Sequence, residues 1–295
     1  MKAFNYLRIL FLSIISLSII SCDNNDEDNG LLGSKVSSSI PDEGTKKLVQ
    51  MNRKYNMNKK YKNGEEYKCY FKYNKDGILV SLSVDFYEDG RFVESELISL
   101  VWTENNLILT SNRELEPIGY YEISDGKIIK ELLVYNGTEY KYDNNGCLMY
   151  RSQGRVNIYK TYFTWEDGKL MNSVNSWSDE NDSYTATIKY LYSSDFSKKC
   201  NGFFPEMPMY YLSKSSELCA LPWLIGMKQQ YLPEEIETEI ITCHSSHTSI
   251  ESYKDIFTYT FYGDGYLKGF TQESSRIINS VEVDNDTDVY EYFWE

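Results

Sequence analysis

A mainly β fold, a long curved antiparallel meander of hairpins, is what this sequence predicts, and three observations predict it. Tyr occurs 27 times and Phe 13 times in 295 residues. These aromatics recur in one phrase: an aromatic alternating run, a short Asp/Asn-Gly turn, then an aliphatic alternating run. The runs alternate at period two, which sets one face on a core and the other in water, as in an antiparallel sheet.

The phrase appears as "YKCYFKYNKDGILVSLSVDF", "GYYEISDGKIIKELLVY", "TEYKYDNNGCLMYRS", "KTYFTWEDGKLMNSV" and "FTYTFYGDGYLKGF". Gly77, Gly126, Gly146, Gly168 and Gly265 stand where a hairpin needs a left-handed residue. In the first hairpin Tyr67, Cys69, Phe71 and Tyr73 share a face, as do Ile78, Val80, Leu82, Val84 and Phe86 on the return arm. About a dozen strands or more follow, and open sheets of more than about ten strands curl or split. The expectation is a half-barrel-like or large twisted sheet. One short helical or apolar insert near 215–230, "SSELCALPWLIGMKQQ", breaks the rhythm and is placed as a plug or lid on the concave side.

Ahead of the sheet, residues 1–21 carry Lys2, Arg8 and an apolar run too short to span a bilayer, which marks an export signal. Ile19-Ile20-Ser21-Cys22 resembles the bacterial lipobox, and that resemblance makes Cys22 a lipidation site. Residues 22–45 are rich in Asp, Asn, Ser and Gly, a flexible acidic linker. Residues 46–295 form a single β-rich domain, long enough to bury a sizeable core.

Charge excludes one class of partner. Of 30 Lys and Arg, the signal removes Lys2 and Arg8, leaving 28 against 44 acids, or −16. Nucleic acid is not a partner for such a surface. Chemistry is sparse: no catalytic signature appears, and no cofactor is expected. His244 and His247 flank "CHSSHTS" beside Cys243. No further pair at metal spacing completes a four-ligand structural zinc site, so no metal is expected. Asp284, Asp286 and Asp288 match calcium-loop offsets, but Val289 stands where such loops need glycine. Five mature cysteines besides Cys22 have irregular spacing, and Cys200 with Cys219 is the pair that could form a disulfide.

Lipobox, acidic spacer, "Y-x-Y-x-x-x-G-x-L" hairpins, the closing "GMKQQYLPEEI" and the final "VYEYFWE" resemble a group of Bacteroidetes lipoproteins known as a domain of unknown function. The hairpin phrase is also similar to the tyrosine-aspartate repeats of Rhs-type shell proteins. The resemblance implies fold and address, namely membrane attachment through the lipid, and transfers no site residue. In such lipoproteins acids after the acylated cysteine, here Asp23, Asp26, Glu27 and Asp28, resemble an outward-display signal at the outer membrane; a periplasm-facing protein is the alternative. The expected function is a non-catalytic surface binding module for glycan or protein, with Tyr70, Tyr121 and Tyr150 as a platform on the wet face. A lipid or lipoprotein carrier with a cavity on the curved sheet is the alternative, and a hydrolase ranks last.

Overall fold

The computed structural model describes residues 46–56, 65–132, 138–153, 159–179, 181–192, 224, 226, 231–278 and 281–295. Their strands, in chain order, begin with β1 (Leu48–Asn56), β2 (Glu65–Tyr73), β3 (Leu79–Glu88), β4 (Arg91–Trp102) and β5 (Asn106–Ser111). Next come β6 (Gly119–Ser124), β7 (Lys127–Glu131), β8 (Thr138–Tyr142), β9 (Leu148–Gln153), β10 (Tyr159–Glu166) and β11 (Lys169–Ser178). The set ends with β12 (Ser183–Leu191), β13 (Glu235–His244), β14 (His247–Phe261), β15 (Leu267–Ile278) and β16 (Val281–Trp294). Each pairs antiparallel with its neighbours in sequence, and β16 returns to β1, so the sheet is a closed barrel.

Closure corrects the expectation of a half-barrel or open twisted sheet. The closing ladder runs from Leu48↔Trp294 to Asn56↔Thr287. Beyond it, Lys47 and Glu295 exchange backbone hydrogen bonds of 2.6 and 2.9 Å. An open meander would leave two long edges of unpaired N–H and C=O groups, and the ring abolishes both. The helical insert is corrected too: there is no helix among the described residues. Most of 215–230 lies outside the described residues, and its described positions, Leu224 and Gly226, are in turns. Leu224 is buried, and its carbonyl accepts from the Ile128 N–H at 2.8 Å. The Gly226 carbonyl accepts from the Leu148 N–H at 3.0 Å. Leu224 and Gly226, between β12 and β13, thus bind the starts of β7 and β9.

The hairpin turns form as their residues dictate. Asp89-Gly90, Asp125-Gly126 and Asp167-Gly168 have positive φ at both positions, the mark of a type I′ turn. In the longer turns Asn74 and Asp143 fold their side chains back. Asn74 Oδ1 accepts from the Asp76 and Ile78 N–H groups, and Asp143 Oδ1 from Asn145 and Cys147. Just after these turns the first return strand departs from simple alternation. A register shift opposite Tyr73 makes Val80 a bulge, so Leu79 takes the inward place expected of Val80, while Ile78 is buried as expected.

Inside the turn end lies a belt of buried aliphatic residues: Leu48, Leu79, Leu107, Ile128, Leu148, Leu170, Leu232 and Leu267. Most stand at the first inward position of an odd-numbered strand. In six hairpins the ladder to the next strand stops two residues beyond the belt residue, as at Gln50↔Tyr70, Ser81↔Ser99 and Tyr150↔Tyr162. An aromatic from the even-numbered strand then takes the belt carbonyl. Trp102, Trp165 and Trp294 donate their indole N–H to Leu79, Leu148 and Leu267 at 2.8, 2.8 and 2.6 Å. Tyr73 and Tyr192 donate their hydroxyls to Leu48 and Leu170 at 2.8 and 2.9 Å, and Tyr142 donates to Ile128. Each wedge replaces a ladder bond by a net 0.5–1.5 kcal/mol or so, while burying a large ring.

The belt makes a direct prediction. Leu148→Ala removes a fully buried side chain and should cost about 2–5 kcal/mol in urea unfolding. Lys141→Ala, on the outer face of the neighbouring strand, should stay within about 0.5 kcal/mol. Equal costs would contradict the assignment of inner and outer faces.

Candidate binding surfaces

Register assigns the described strand side chains to the inside or the outside, and the outside mixes charged residues with exposed apolar ones such as Leu97, Val101, Tyr162 and Ile256. Lys189, Glu237 and Lys254 stand side by side across β12–β14 on the outer face. Lys54, Glu66, Lys68 and Lys72 face out on β1 and β2, and Glu139, Lys141 and Lys160 on β8 and β10. Glu273 and Glu291 do so on β15 and β16. A barrel wall in a bilayer needs an apolar outer band about 25 Å tall, and a Lys or Arg at its midplane costs about 2–4 kcal/mol. On this outer face the charged side chains stand among the exposed apolar ones.

The inside combines apolar and polar layers. Above the belt, Phe163, Tyr190, Phe257, Phe270, Tyr290 and Tyr292 are buried, with Phe270 and Tyr290 stacked at 4.2 Å. Further from the turns the wall becomes polar. Gln272 Nε2 donates to Asp255 at 3.2 Å, and Ser274 donates to the same carboxylate at 2.5 Å. Arg53 pairs with Asp288 at 3.0 Å and lies over the Tyr290 ring. Arg276 pairs with Glu251 at 2.8 Å, and Tyr253 donates to that carboxylate. On the opposite wall Glu131 and Arg151 are both buried. Burial raises the Glu131 pKa, opposed by the Thr138 hydrogen bond and the Arg151 charge, whereas hydrogen bonds from Arg276 and Tyr253 lower that of Glu251.

Two of the three platform tyrosines face outward. Tyr70 is 37 % exposed on β2, level with Gln50 and Ser83; four residues along the same outer face, the Tyr87 and Phe92 rings meet edge to face at 5.7 Å, and Phe92 is 58 % exposed. Lys68 lies 4.3 Å over the Tyr87 ring, and Asp85 and Tyr87 are near enough to Tyr70 to add to the upward shift that partial burial gives its hydroxyl. Tyr150 is half-buried on β9, with Tyr162 of β10 at 5.1 Å and Lys141 over its ring. Tyr121 is a correction: it is fully buried. It pairs with Leu107 on the inner face, while Tyr120 faces out. "GYYEIS" has adjacent tyrosines, so alternation alone could not choose between them. Gly119 supports the inward choice, since a methyl there would stand 2.6 Å from the Tyr121 ring. Phe92, the most exposed ring, lay in a weak turn signal, "YEDGRF", and was missed.

Cys22, Cys200 and Cys219 lie outside the described residues. Among the described residues Cys69, Cys147 and Cys243 carry no disulfide, and no group of three or more His, Cys, Asp or Glu is placed to hold a metal ion. Two interior carboxylates should titrate in opposite directions. Carboxyl-carbon NMR should find Glu131 above the ordinary 4.5 and Glu251 below it. Glu131 then stabilises the fold at low pH and loses that contribution as pH rises through its folded value. Glu251 does the reverse, losing its contribution as pH falls through its folded value.

No protein-family model and no curated protein matches the chain. Among solved structures, the chain is similar to a porin-like protein from Bacteroides uniformis at a TM-score of 0.57 and 10% identity, covering 84% of this chain and 98% of that one. A porin-like protein from Bacteroides vulgatus aligns at a TM-score of 0.47 and 10% identity, covering 84% and 99%. The first likeness is one of fold, a closed antiparallel barrel.

Proposed function

We propose that this chain is a lipid-tethered binding module at the outer membrane, held there by Cys22 while its barrel stands in water. One observation carries the reading: the charged rows on the outer face, such as Lys189–Glu237–Lys254. Placing Lys189 and Lys254 at the midplane of a bilayer would cost about 2–4 kcal/mol each. A protein of this kind needs another means of attachment, and the lipobox ending at Cys22 supplies one. The likeness to porin-like proteins fits an outer-membrane address, with the barrel beside the bilayer and not across it.

The module is non-catalytic, and its outward rings are the contact surface. Tyr87 and Phe92 stand together beside Lys68, and Tyr70 lies further along the same outer face next to Gln50, a row of rigid apolar faces and hydrogen-bonding groups suited to a glycan or a protein surface. The carrier reading has less support, because the wall above the belt is lined by Asp255, Gln272, Arg151 and Glu131, poor neighbours for acyl chains. Display on the outside of the cell follows from the acids at Asp23, Asp26, Glu27 and Asp28.

The anchor and the contact surface are tested separately. Cys22→Ala should move the protein from the detergent phase to the aqueous phase of a phase-partition assay. If that variant stays in membranes after an alkaline wash, the barrel itself spans them and the proposal fails. Protease added to intact cells should degrade the wild-type domain. Glycan arrays and protein pull-downs with the full mature chain should yield a ligand that Tyr70→Ala/Phe92→Ala binds at least about tenfold more weakly, or about 1.4 kcal/mol.

A further inference from the structure

The chain has two histidines, and the fold sets them opposite each other. His244 ends β13 and His247 begins β14, with only Ser245 and Ser246 between them. Both are exposed, and their ring centroids are 4.8 Å apart at an interplanar angle of 39°. A third group comes from the neighbouring turn. Asp182 Oδ1 lies 2.9 Å from His244 Nδ1. That turn is well fixed: Asp179 accepts from the Asn181 and Asp182 N–H groups at 2.9 and 2.8 Å, and its own N–H donates to the Asp182 carbonyl.

These contacts decide which nitrogens remain available. An ionised carboxylate only accepts, so the His244 Nδ1 carries the proton and its Nε2 keeps a lone pair. His247 Nδ1 is 3.2 Å from the Ser246 hydroxyl. That hydroxyl can accept from Nδ1–H, which leaves the second Nε2 free as well. A carboxylate behind an imidazole is the arrangement that orients metal-binding histidines and raises their basicity. Separation also fits. With metal–nitrogen bonds of about 2.0–2.1 Å, an ion on a ring's lone-pair axis sits roughly 3.2 Å from its centroid. Centroids 4.8 Å apart then subtend roughly 97° at the ion, between the octahedral and tetrahedral angles.

We propose that His244 and His247 form an open two-ligand site for a divalent transition-metal ion, with Asp182 as a positioning residue. Imidazole selects the class, ions such as nickel, copper and zinc, over the oxygen-preferring magnesium and calcium. Two protein ligands leave the remaining coordination positions to water or to a donor on another molecule. That differs from the closed four-ligand zinc site, for which the sequence lacks ligands. Cys243 is not one of the ligands. It lies on the outer face, where its sulfur accepts from the Thr248 hydroxyl at 3.7 Å.

The test is calorimetric titration of the untagged full mature chain in detergent with nickel or zinc chloride. One ion should bind per chain. His244→Ala and His247→Ala should each raise the Kd at least about tenfold, and Asp182→Asn about 10–100-fold, the usual range for an outer-shell partner. Cys243→Ser should bind as wild type. The melting temperature of metal-free Asp182→Asn should match wild type, and the ion should raise that of wild type more than that of the variant. Absence of saturable binding at millimolar ion overturns the site. So does undiminished binding by the His244→Ala/His247→Ala protein. Undiminished binding by Asp182→Asn overturns the positioning role.

Discussion

The carbonyl at the start of six of the odd-numbered strands needs a donor, and much of this architecture answers that need. In six hairpins the ladder stops short of Leu48, Leu79, Ile128, Leu148, Leu170 or Leu267, so a buried acceptor is left beside an apolar belt. Water cannot reach it without opening the core, and an unsatisfied buried carbonyl costs about 1–3 kcal/mol. Tryptophan and tyrosine meet both demands at once, with a ring for the belt and one N–H or O–H for the carbonyl. β13–β14 uses a variant in which Tyr259 donates to Pro233 at 2.6 Å. This accounts for the recurrence of an aromatic just before most of these turns and an aliphatic belt residue just after them.

Closure of the ring and polarity of its two faces are separate matters, and together they separate fold from environment. A closed antiparallel barrel is equally at home in a membrane or in water, because both settings reward the loss of free edges. The deciding quantity is which face is apolar. Here the belt, the Phe270–Tyr290 stack and the buried tyrosines point inward, and lysine and glutamate rows point outward. A barrel likeness to a porin-like protein therefore speaks for the backbone alone.

Much of the local structure was legible in the sequence. Gly77, Gly126, Gly146, Gly168 and Gly265 all take the positive φ that their turn positions require, and the hairpins they close are present. Closure was not legible, since β1 and β16 contain nothing that distinguishes a closing strand from an exposed last one. Val80 and Tyr121 were misplaced for a related reason. A one-residue bulge reverses the side every later residue faces, and adjacent tyrosines leave alternation undecided. The pairing of His244 with Asp182 depends on a turn 62 positions away in the chain, beyond the reach of any local spacing rule.

The backbone bonds between Lys47 and Glu295 put the entry and exit of the chain at one place, on the rim that carries the leucine belt. The segment before residue 46 therefore joins the barrel at that rim, while the turn bearing His244 and His247 sits on the opposite rim. β14, at 15 residues, runs roughly 50 Å along its own axis, three times the length of five-residue β7. The far rim is thus uneven, and whatever approaches it meets the β14 side first.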